Sequence, residues 1–250
     1  MSERSVKKLG PYLLGPNDTP ENGIYCGDAR ELARAIPDES VDLVLTDPPF
    51  GIGFDYGTSY KDDPDEYLSL VRWIVAESNR IIRPGGLCFV FQAMKRLRET
   101  WSLFPENSRI FAACKNFVQM MPVRVQYAFE PVVFWHKDGP YLRPPQGRDW
   151  HVGNTNPSNF SGPNRAKFHT CPRPLDTILY MVDHFAPSRG IVVDFFMGSG
   201  TTAIASNLTG RHWWGAEIDP ATCELARERV HNTQPPLFVP QHEQIEMEMK

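Results

Sequence analysis

Short runs of β-branched and aromatic residues alternate along this chain with longer stretches in which apolar residues return every three or four positions. The short runs predict strands over 23–26, 41–46, 87–91, 110–113, 131–135, 190–194 and 213–218. The longer stretches predict helices over 29–36, 64–82, 94–102, 174–185, 201–208 and 220–230. Between the second helix and the third strand, Arg83-Pro84-Gly85-Gly86 reads as a helix stop followed by a turn. Such alternation is the signature of an α/β domain, here with seven strands in a mostly parallel sheet and helices on both faces.

The alternation fails between 137 and 173. Prolines at 140, 144, 145, 157, 163 and 172, with an Asn-, Ser- and Gly-rich run over 153–164, predict a loop-rich insertion. Long loops without structure of their own are uncommon inside a compact domain and are usually functional or disordered. Lys137, Arg143, Arg148, Arg165, Lys167 and Arg173 outnumber Asp138 and Asp149 there, a local surplus of four positive charges in a chain whose net charge is −4. That surplus fits a solvated surface loop and a nucleic-acid-facing insertion alike. The stretch 233–250 is Pro-rich and then carries Glu243, Glu246 and Glu248, the pattern of a loosely held tail.

Composition narrows the class. At 250 residues the chain suits one α/β domain with an insertion, and it can bury roughly 75% of its unfolded surface. Its negative net charge excludes a uniformly basic coat, so any nucleic-acid binding has to rest on a local patch. Five scattered cysteines without a Cys-x-x-Cys pair predict reduced, intracellular thiols, and neither a disulfide frame nor a zinc knuckle. Residues 1–10 are charged and lack the apolar stretch of a signal peptide, and no apolar run approaches the length of a membrane span. A cytoplasmic protein without membrane contact is expected.

Two motifs carry chemistry. Asp47-Pro48-Pro49-Phe50 follows the strand predicted over 41–46, so Asp47 stands at its carboxyl end, where ligands bind in doubly wound sheets. The prolines stiffen the turn and donate no N–H, which leaves the Pro48 carbonyl free as an acceptor. An exocyclic amine has two hydrogens to give: the Asp47 carboxylate can take one and the Pro48 carbonyl the other, while Phe50 stacks on the attached ring. Acceptors on both hydrogens favour a pyramidal nitrogen with an available lone pair and stabilise the positive charge that develops when it attacks a methyl group. No strong base and no metal are needed. A rigid turn after a strand is the bland alternative.

The second motif is Asp194-Phe195-Phe196-Met197-Gly198-Ser199-Gly200-Thr201-Thr202, a buried-strand end running through a glycine turn into a helix. Glycines allow close approach of the backbone to a ligand, and the helix start offers free N–H donors. Glu217, at the end of the next strand, can accept both ribose hydroxyls of an adenosine. The spacing alone also suits NAD, whereas a phosphate-binding P-loop lacks its Lys before Thr201.

In this order, with the tetrapeptide 147 residues before the glycine motif, the chain resembles the β-class of S-adenosylmethionine-dependent DNA amino-methyltransferases from about residue 22 to residue 231. Gly27-Asp28 resembles the family's early Gly-Asp, Asp194 to Thr202 its Asp-Pro-Phe-x-Gly-Ser-Gly-Thr-Thr with Phe195 in place of Pro, and Gly215 to Pro220 its ribose-binding segment. His169-Thr170-Cys171-Pro172-Arg173-Pro174 resembles the family's His-Pro-Thr-Gln-Lys-Pro, with Arg173 in place of Lys. The resemblance implies a circularly permuted Rossmann-like methyltransferase fold and one catalytic domain over 1–250, with residues 137–173 as its target-recognition insertion.

It also implies S-adenosylmethionine as cofactor, no metal, and double-stranded DNA as partner, with a homodimer as a compatible assembly and a bacterial, archaeal or phage-infected cell as the setting. Asp47, Pro48, Pro49 and Phe50 become catalytic. Asp28, Asp194, Phe196, Gly198, Ser199, Gly200, Thr201, Thr202, Glu217, Asp219 and Arg173 become cofactor-binding, and Lys137, Arg143, Arg148, Arg165 and Lys167 become DNA-binding.

The family's acid-first tetrapeptide favours N6 of adenine over N4 of cytosine, and either base has to be flipped out of the duplex. The loop over 51–65, with Phe54, Tyr56 and Tyr60, reads either as a lid or as a plain surface loop. The competing classes are a methyltransferase of RNA or of a protein glutamine, an NAD-dependent oxidoreductase, and an inactive fold that only binds.

Overall fold

In the computed structural model, which describes residues 22–54, 62–116, 124–139, 146–154 and 173–233, the alternating pattern resolves into one sheet. The elements run β1 (Asn22–Cys26), α1 (Ala29–Ala35), β2 (Val41–Thr46), α2 (Tyr67–Ile81), β3 (Ile82–Phe91), α3 (Leu97–Thr100), a 3-10 turn (Trp101–Leu103), β4 (Arg109–Lys115), β5 (Phe129–His136), β6 (Trp150–Gly153), α4 (Leu175–Phe185), β7 (Ile191–Asp194), α5 (Thr201–Leu208), β8 (His212–Glu217) and α6 (Pro220–Asn232). Among the described residues eight strands pair in the order β1-β8-β7-β2-β3-β5-β4-β6. Only β5 is antiparallel to its neighbours, β3 and β4.

Each layer follows from local sequence. All six residues of β2 are buried, as expected of a strand covered on both faces, and β7 repeats the pattern. In α2 the buried residues Val71, Ile74, Val75, Ser78 and Ile81 return at helical spacing and form one stripe. That stripe packs with α1, Phe104 and the sheet residues Val44, Val90 and Trp135 into one core layer. The opposite layer joins Ile178, Met181 and Val182 of α4, Ala203 of α5 and Ala226 of α6 to Leu43, Phe89, Phe111 and Val192. The first three helices thus cover one face and the last three the other.

Three expectations need correction. The stretch Arg83 to Gly86 is not a turn, because it lies inside β3: Gly85 donates to the Lys137 carbonyl at 2.8 Å and Lys137 donates to the Gly86 carbonyl at 3.0 Å, while the β2–β3 register shifts between Val41 and Leu43. A bulge with Gly85 at φ 81° absorbs the Pro-Gly-Gly within a strand. The third helix shrinks to Leu97–Thr100 plus the 3-10 turn. The insertion also contributes a strand: β6 pairs in parallel with β4, so the sheet has eight strands and not seven. The tail beyond residue 233 lies outside the described residues. Cys26, Cys88, Cys114 and Cys223 are free, and among the described residues no helix is long and apolar enough to cross a membrane.

The chain leaves β2 through α2 towards β3 and leaves β7 through α5 towards β8, in opposite directions along the sheet and over opposite faces. Between the carboxyl ends of β2 and β7 lies the point where strand order reverses, the place where open α/β sheets form their ligand crevice.

Candidate active site

Asp47 extends from the end of β2 into this crevice. Its two carboxylate oxygens accept from Nε and Nη2 of Arg173 at 2.6 and 2.9 Å, a forked pairing across the sheet face covered by α4. Nη1 of the same guanidinium donates to Glu130 of β5, which in turn pairs with Nζ of Lys115 at 3.1 Å. Arg173 also lies 4.7 Å from the ring centre of Phe91 and 5.7 Å from that of Phe50, so one cation orients both the acid and the aromatic of the tetrapeptide. Burial works against the charge on Arg173, but the carboxylates of Asp47 and Glu130 outweigh it and hold the side chain protonated. At Glu130 burial is likewise outweighed by Arg173 and Lys115, which keep its carboxyl below the usual range.

The chain after the tetrapeptide is fixed by a residue that the motif did not reveal. The buried Asp62 carboxylate accepts from the backbone N–H groups of Gly51, Ile52 and Phe54 at 2.6, 2.8 and 3.1 Å. Gly51 sits at φ 59°, and a Cβ there would come within 2.4 Å of Cβ of Tyr67, so the turn needs glycine on both counts. Tyr67, whose phenol burial pushes up, donates to Oε1 of Gln92 at 2.7 Å beneath it.

The second half of the crevice separates into a front and a back. In front stand the half-buried Phe196, Gly198 and Glu217. Glu217 accepts from the Gly198 N–H at 2.9 Å through Oε2 and from the Asp219 N–H at 2.9 Å through Oε1, leaving further lone pairs for a ligand. Burial pushes its carboxyl up while those N–H groups work against the shift. Behind the turn, Asp194 accepts from the Thr46 hydroxyl at 3.0 Å, the Phe196 N–H at 3.0 Å and the Thr202 hydroxyl at 2.7 Å. It ties β2, the glycine turn and α5 together and is only 4% exposed. Ser199, Thr201 and Thr202 are buried too, and Gly200, at φ 85°, turns the chain into α5. Asp219 caps α6 by accepting from the Thr222 N–H at 2.8 Å.

Asp28 reaches the same edge because Gly27 donates to the Glu217 carbonyl at 2.8 Å, and its carboxylate caps α1 while pairing with Arg30 at 3.2 Å. Of the residues expected to touch a cofactor, Phe196, Gly198, Glu217 and Asp28 therefore face the crevice edge. Asp194, Thr201, Thr202 and Asp219 support it from behind, and Arg173 joins the Asp47 half.

The two departures from the family pattern have physical reasons. Phe195 is 1% exposed and packs 5.1 Å from Trp73 of α2, filling the core under the turn. Arg173 makes a fork to Asp47 that the single ammonium of Lys cannot make.

The expected DNA-binding residues do not form one group. Lys137 lies at the edge of the sheet opposite Asp47, where its ammonium donates to the Asn79 and Ile82 carbonyls at 2.9 and 3.0 Å and pairs with Glu39 at 3.0 Å. Arg148 precedes β6, the outermost strand, whose Trp150 is level with Ala112, Pro131 and the end of β3, and its guanidinium lies 5.4 Å from the Trp150 ring centre. From there β6 carries the chain to Gly153 beside Lys115, on the catalytic edge. Arg143, Arg165 and Lys167 lie outside the described residues.

Relatives share this architecture. The family model of N6/N4 DNA methylases matches residues 41–228. The type II methyltransferase M.BamHI of Bacillus amyloliquefaciens is 26% identical over 274 residues, covering 91% of this chain and 60% of its own length, so the chain spans about three fifths of that relative. Among solved structures, the cytosine-N4-specific PvuII DNA methyltransferase superposes with a TM-score of 0.69 at 19% identity, over 91% of this chain and 92% of its own. The complex of M1.HpyAVI with S-adenosylmethionine gives 0.62 at 20% identity, over 83% and 98%. These superpositions show a shared open α/β methyltransferase fold. The family match runs from the strand that presents Asp47, through the glycine turn, into α6, and the chain belongs to the N6/N4 family of DNA methylases.

Proposed function

We propose that the chain transfers the methyl group of S-adenosylmethionine to the exocyclic N6 amine of adenine in double-stranded DNA, after the base has been flipped out of the duplex. One observation supports this reading: the carboxylates of Asp47 and Glu217, suited to accept an amine and a ribose, stand at carboxyl ends on one edge of the sheet, with only β7 between their strands. At two strand spacings, roughly 10 Å separates those ends, a distance on the scale of a nucleoside.

The residues present suit such a cofactor. Glu217 keeps lone pairs for the ribose hydroxyls, Phe196 and the half-exposed Ile218 offer apolar surface for adenine, and the Gly198 turn admits close approach. S-adenosylmethionine supplies an electrophilic methyl group on a sulfonium. Asp47 and the Pro48 carbonyl hold the two amine hydrogens, Phe50 stacks on the ring, and the attacking lone pair points towards the cofactor half. As the N–C bond forms and the S–C bond breaks, Asp47 stabilises the charge on nitrogen and can receive the proton that leaves it. The acid at the head of the tetrapeptide is the basis for choosing adenine.

Purified protein supplied with labelled S-adenosylmethionine is expected to label double-stranded DNA, with N6-methyladenine as the product in nucleoside mass spectrometry. N4-methylcytosine would overturn the choice of base, and label confined to RNA or protein would overturn the substrate class. Asp47→Ala is expected to lower the transfer rate by about 10²- to 10³-fold, the usual cost of losing a transition-state hydrogen-bond partner, while cofactor affinity survives.

A further inference from the structure

A cavity of about 510 Å³ opens beside the catalytic tetrapeptide, and its walls differ in character. Gly51, Ile52 and Pro64 form one wall, in the segment that the Asp62 carboxylate holds in place. The other wall is the turn after β3, carrying Lys95, Arg96, Arg98 and Glu99. Arg96 is spent within the protein: it donates to the Pro64 carbonyl at 2.9 Å, lies 4.9 Å from the Tyr67 ring centre and pairs with Glu99. Since that pair cancels the one acidic group of this wall, Lys95 and Arg98 remain as exposed cations, and neither makes an ion pair among the described residues.

Their surroundings distinguish them from the other basic residues near the crevice. Arg173 and Lys115 are committed to Asp47 and Glu130, Arg30 to Asp28, and one guanidinium nitrogen of Arg229 to the Ser199 carbonyl. Lys137 lies at the far edge of the sheet, and Arg148 stands over Trp150 beside the outermost strand β6, three strands beyond β3. Uncommitted positive charge thus meets the target-base side of the crevice at the turn after β3, one residue past Phe50 on the facing wall. A nucleotide rotated into the Asp47 pocket keeps its own phosphates outside the pocket, at the rim.

We propose that Lys95 and Arg98 clamp backbone phosphates of the strand that carries the flipped base, with the Gly51–Ile52 wall as the opposite side of the slot. The clamp rests on the reading of the chain as a DNA methyltransferase. It reads no sequence, because phosphate contacts fix register and orientation and carry no base information. It therefore acts on any duplex, and its signature is the salt dependence of binding.

The test is the affinity of the full chain, followed by fluorescence anisotropy, for a fluorescein-labelled duplex of mixed sequence across a series of salt concentrations. The Lys95→Gln/Arg98→Gln variant is expected to bind more weakly and to lose nearly two units from the slope of log affinity against log salt, about 0.9 per phosphate contact. Its affinity for S-adenosylmethionine and its melting temperature stay at the wild-type values, and the charge-retaining exchange Lys95→Arg/Arg98→Lys restores the slope. An unchanged slope in the double Gln variant, with wild type binding normally, overturns the clamp alone. Absence of salt-dependent duplex binding by wild type overturns the DNA reading on which the clamp rests.

Discussion

The two halves of the crevice are held by different forces. Glu217 takes its hydrogen bonds from backbone N–H groups no more than 19 positions away, and Asp194 takes two of its three from Phe196 and Thr202 nearby. These are neutral dipoles fixed by strand ends and a helix start, so the half proposed for the cofactor stands ready without rearrangement. Asp47, by contrast, is held by a guanidinium 126 positions away, which also binds Glu130. Side-chain ion pairs can be exchanged: an incoming amine competes with Arg173 for the same carboxylate oxygens. On the proposed reading this is a division of labour, in which local backbone builds the half that would hold a constant ligand and long-range charge builds the half that would open to each substrate.

Breaking the ion pair is expected to have the largest effect. Arg173→Ala leaves Asp47 and Glu130 facing one another without their shared cation, and removing one partner of a buried pair costs about 3–5 kcal/mol. Arg173→Lys keeps the charge but loses the fork, so the urea midpoint should recover in part while the turnover rate stays low. A wild-type midpoint for Arg173→Ala would show that packing, and not charge, holds this half together. The next effect comes from Asp62→Ala, which strips the acceptor from three backbone N–H groups, at about 1–3 kcal/mol for a buried donor left unpaired. Because those groups wall the target side, KM for DNA should rise while cofactor affinity stays unchanged. Equal losses in both would make residues 51–54 common to the two halves and dissolve the contrast.

Much of the architecture of the half proposed for the cofactor could be read from the chain, and the reason is the same locality. The strand patterns, the glycine turn and Glu217 all lie in short windows, where periodicity and turn chemistry leave a signature. Their roles were less legible than their positions: Asp194 and Thr202 belong to the motif, yet both point into the scaffold, and side-chain direction depends on packing that no motif states. The target half needed the fold. Neither the pairing of Arg173 with Asp47 nor the burial of Asp62, which lies in a polar run that reads as surface, leaves any local period. Strand β6 was hidden for another reason: it has only four residues at a sheet edge, and its apolar residues Trp150 and Val152 are the exposed ones, so its alternation is too short and of the wrong sense to mark a buried strand.

The smallest effect is the most specific, because the two halves respond to acid with opposite sign. Burial pushes the Asp194 carboxyl up to about 7, against the hydrogen bonds from Thr202, Phe196 and Thr46, and the nearby Asp47 charge adds to the rise. A carboxyl with a raised folded-state pKa contributes stability that is fully present below its unfolded value near 4 and is lost as pH rises through about 7. Glu217 is shifted in the same direction. Glu130 has the opposite sign: its lowered pKa contributes stability present above the usual carboxylate range and lost as pH falls through its folded value. Between about pH 4 and 7 the cofactor half should therefore weaken as pH rises, while the Glu130 contribution is already complete over most of that range. Asp194→Asn keeps an acceptor for Phe196 and a donor for Thr202 but removes the titration, so its urea midpoint should gain on wild type as pH rises through this window and run parallel to it above. Parallel curves throughout would mean that Asp194 stays ionised in the folded protein, its hydrogen bonds outweighing its burial, and that the cofactor half is held by charge as much as the target half is.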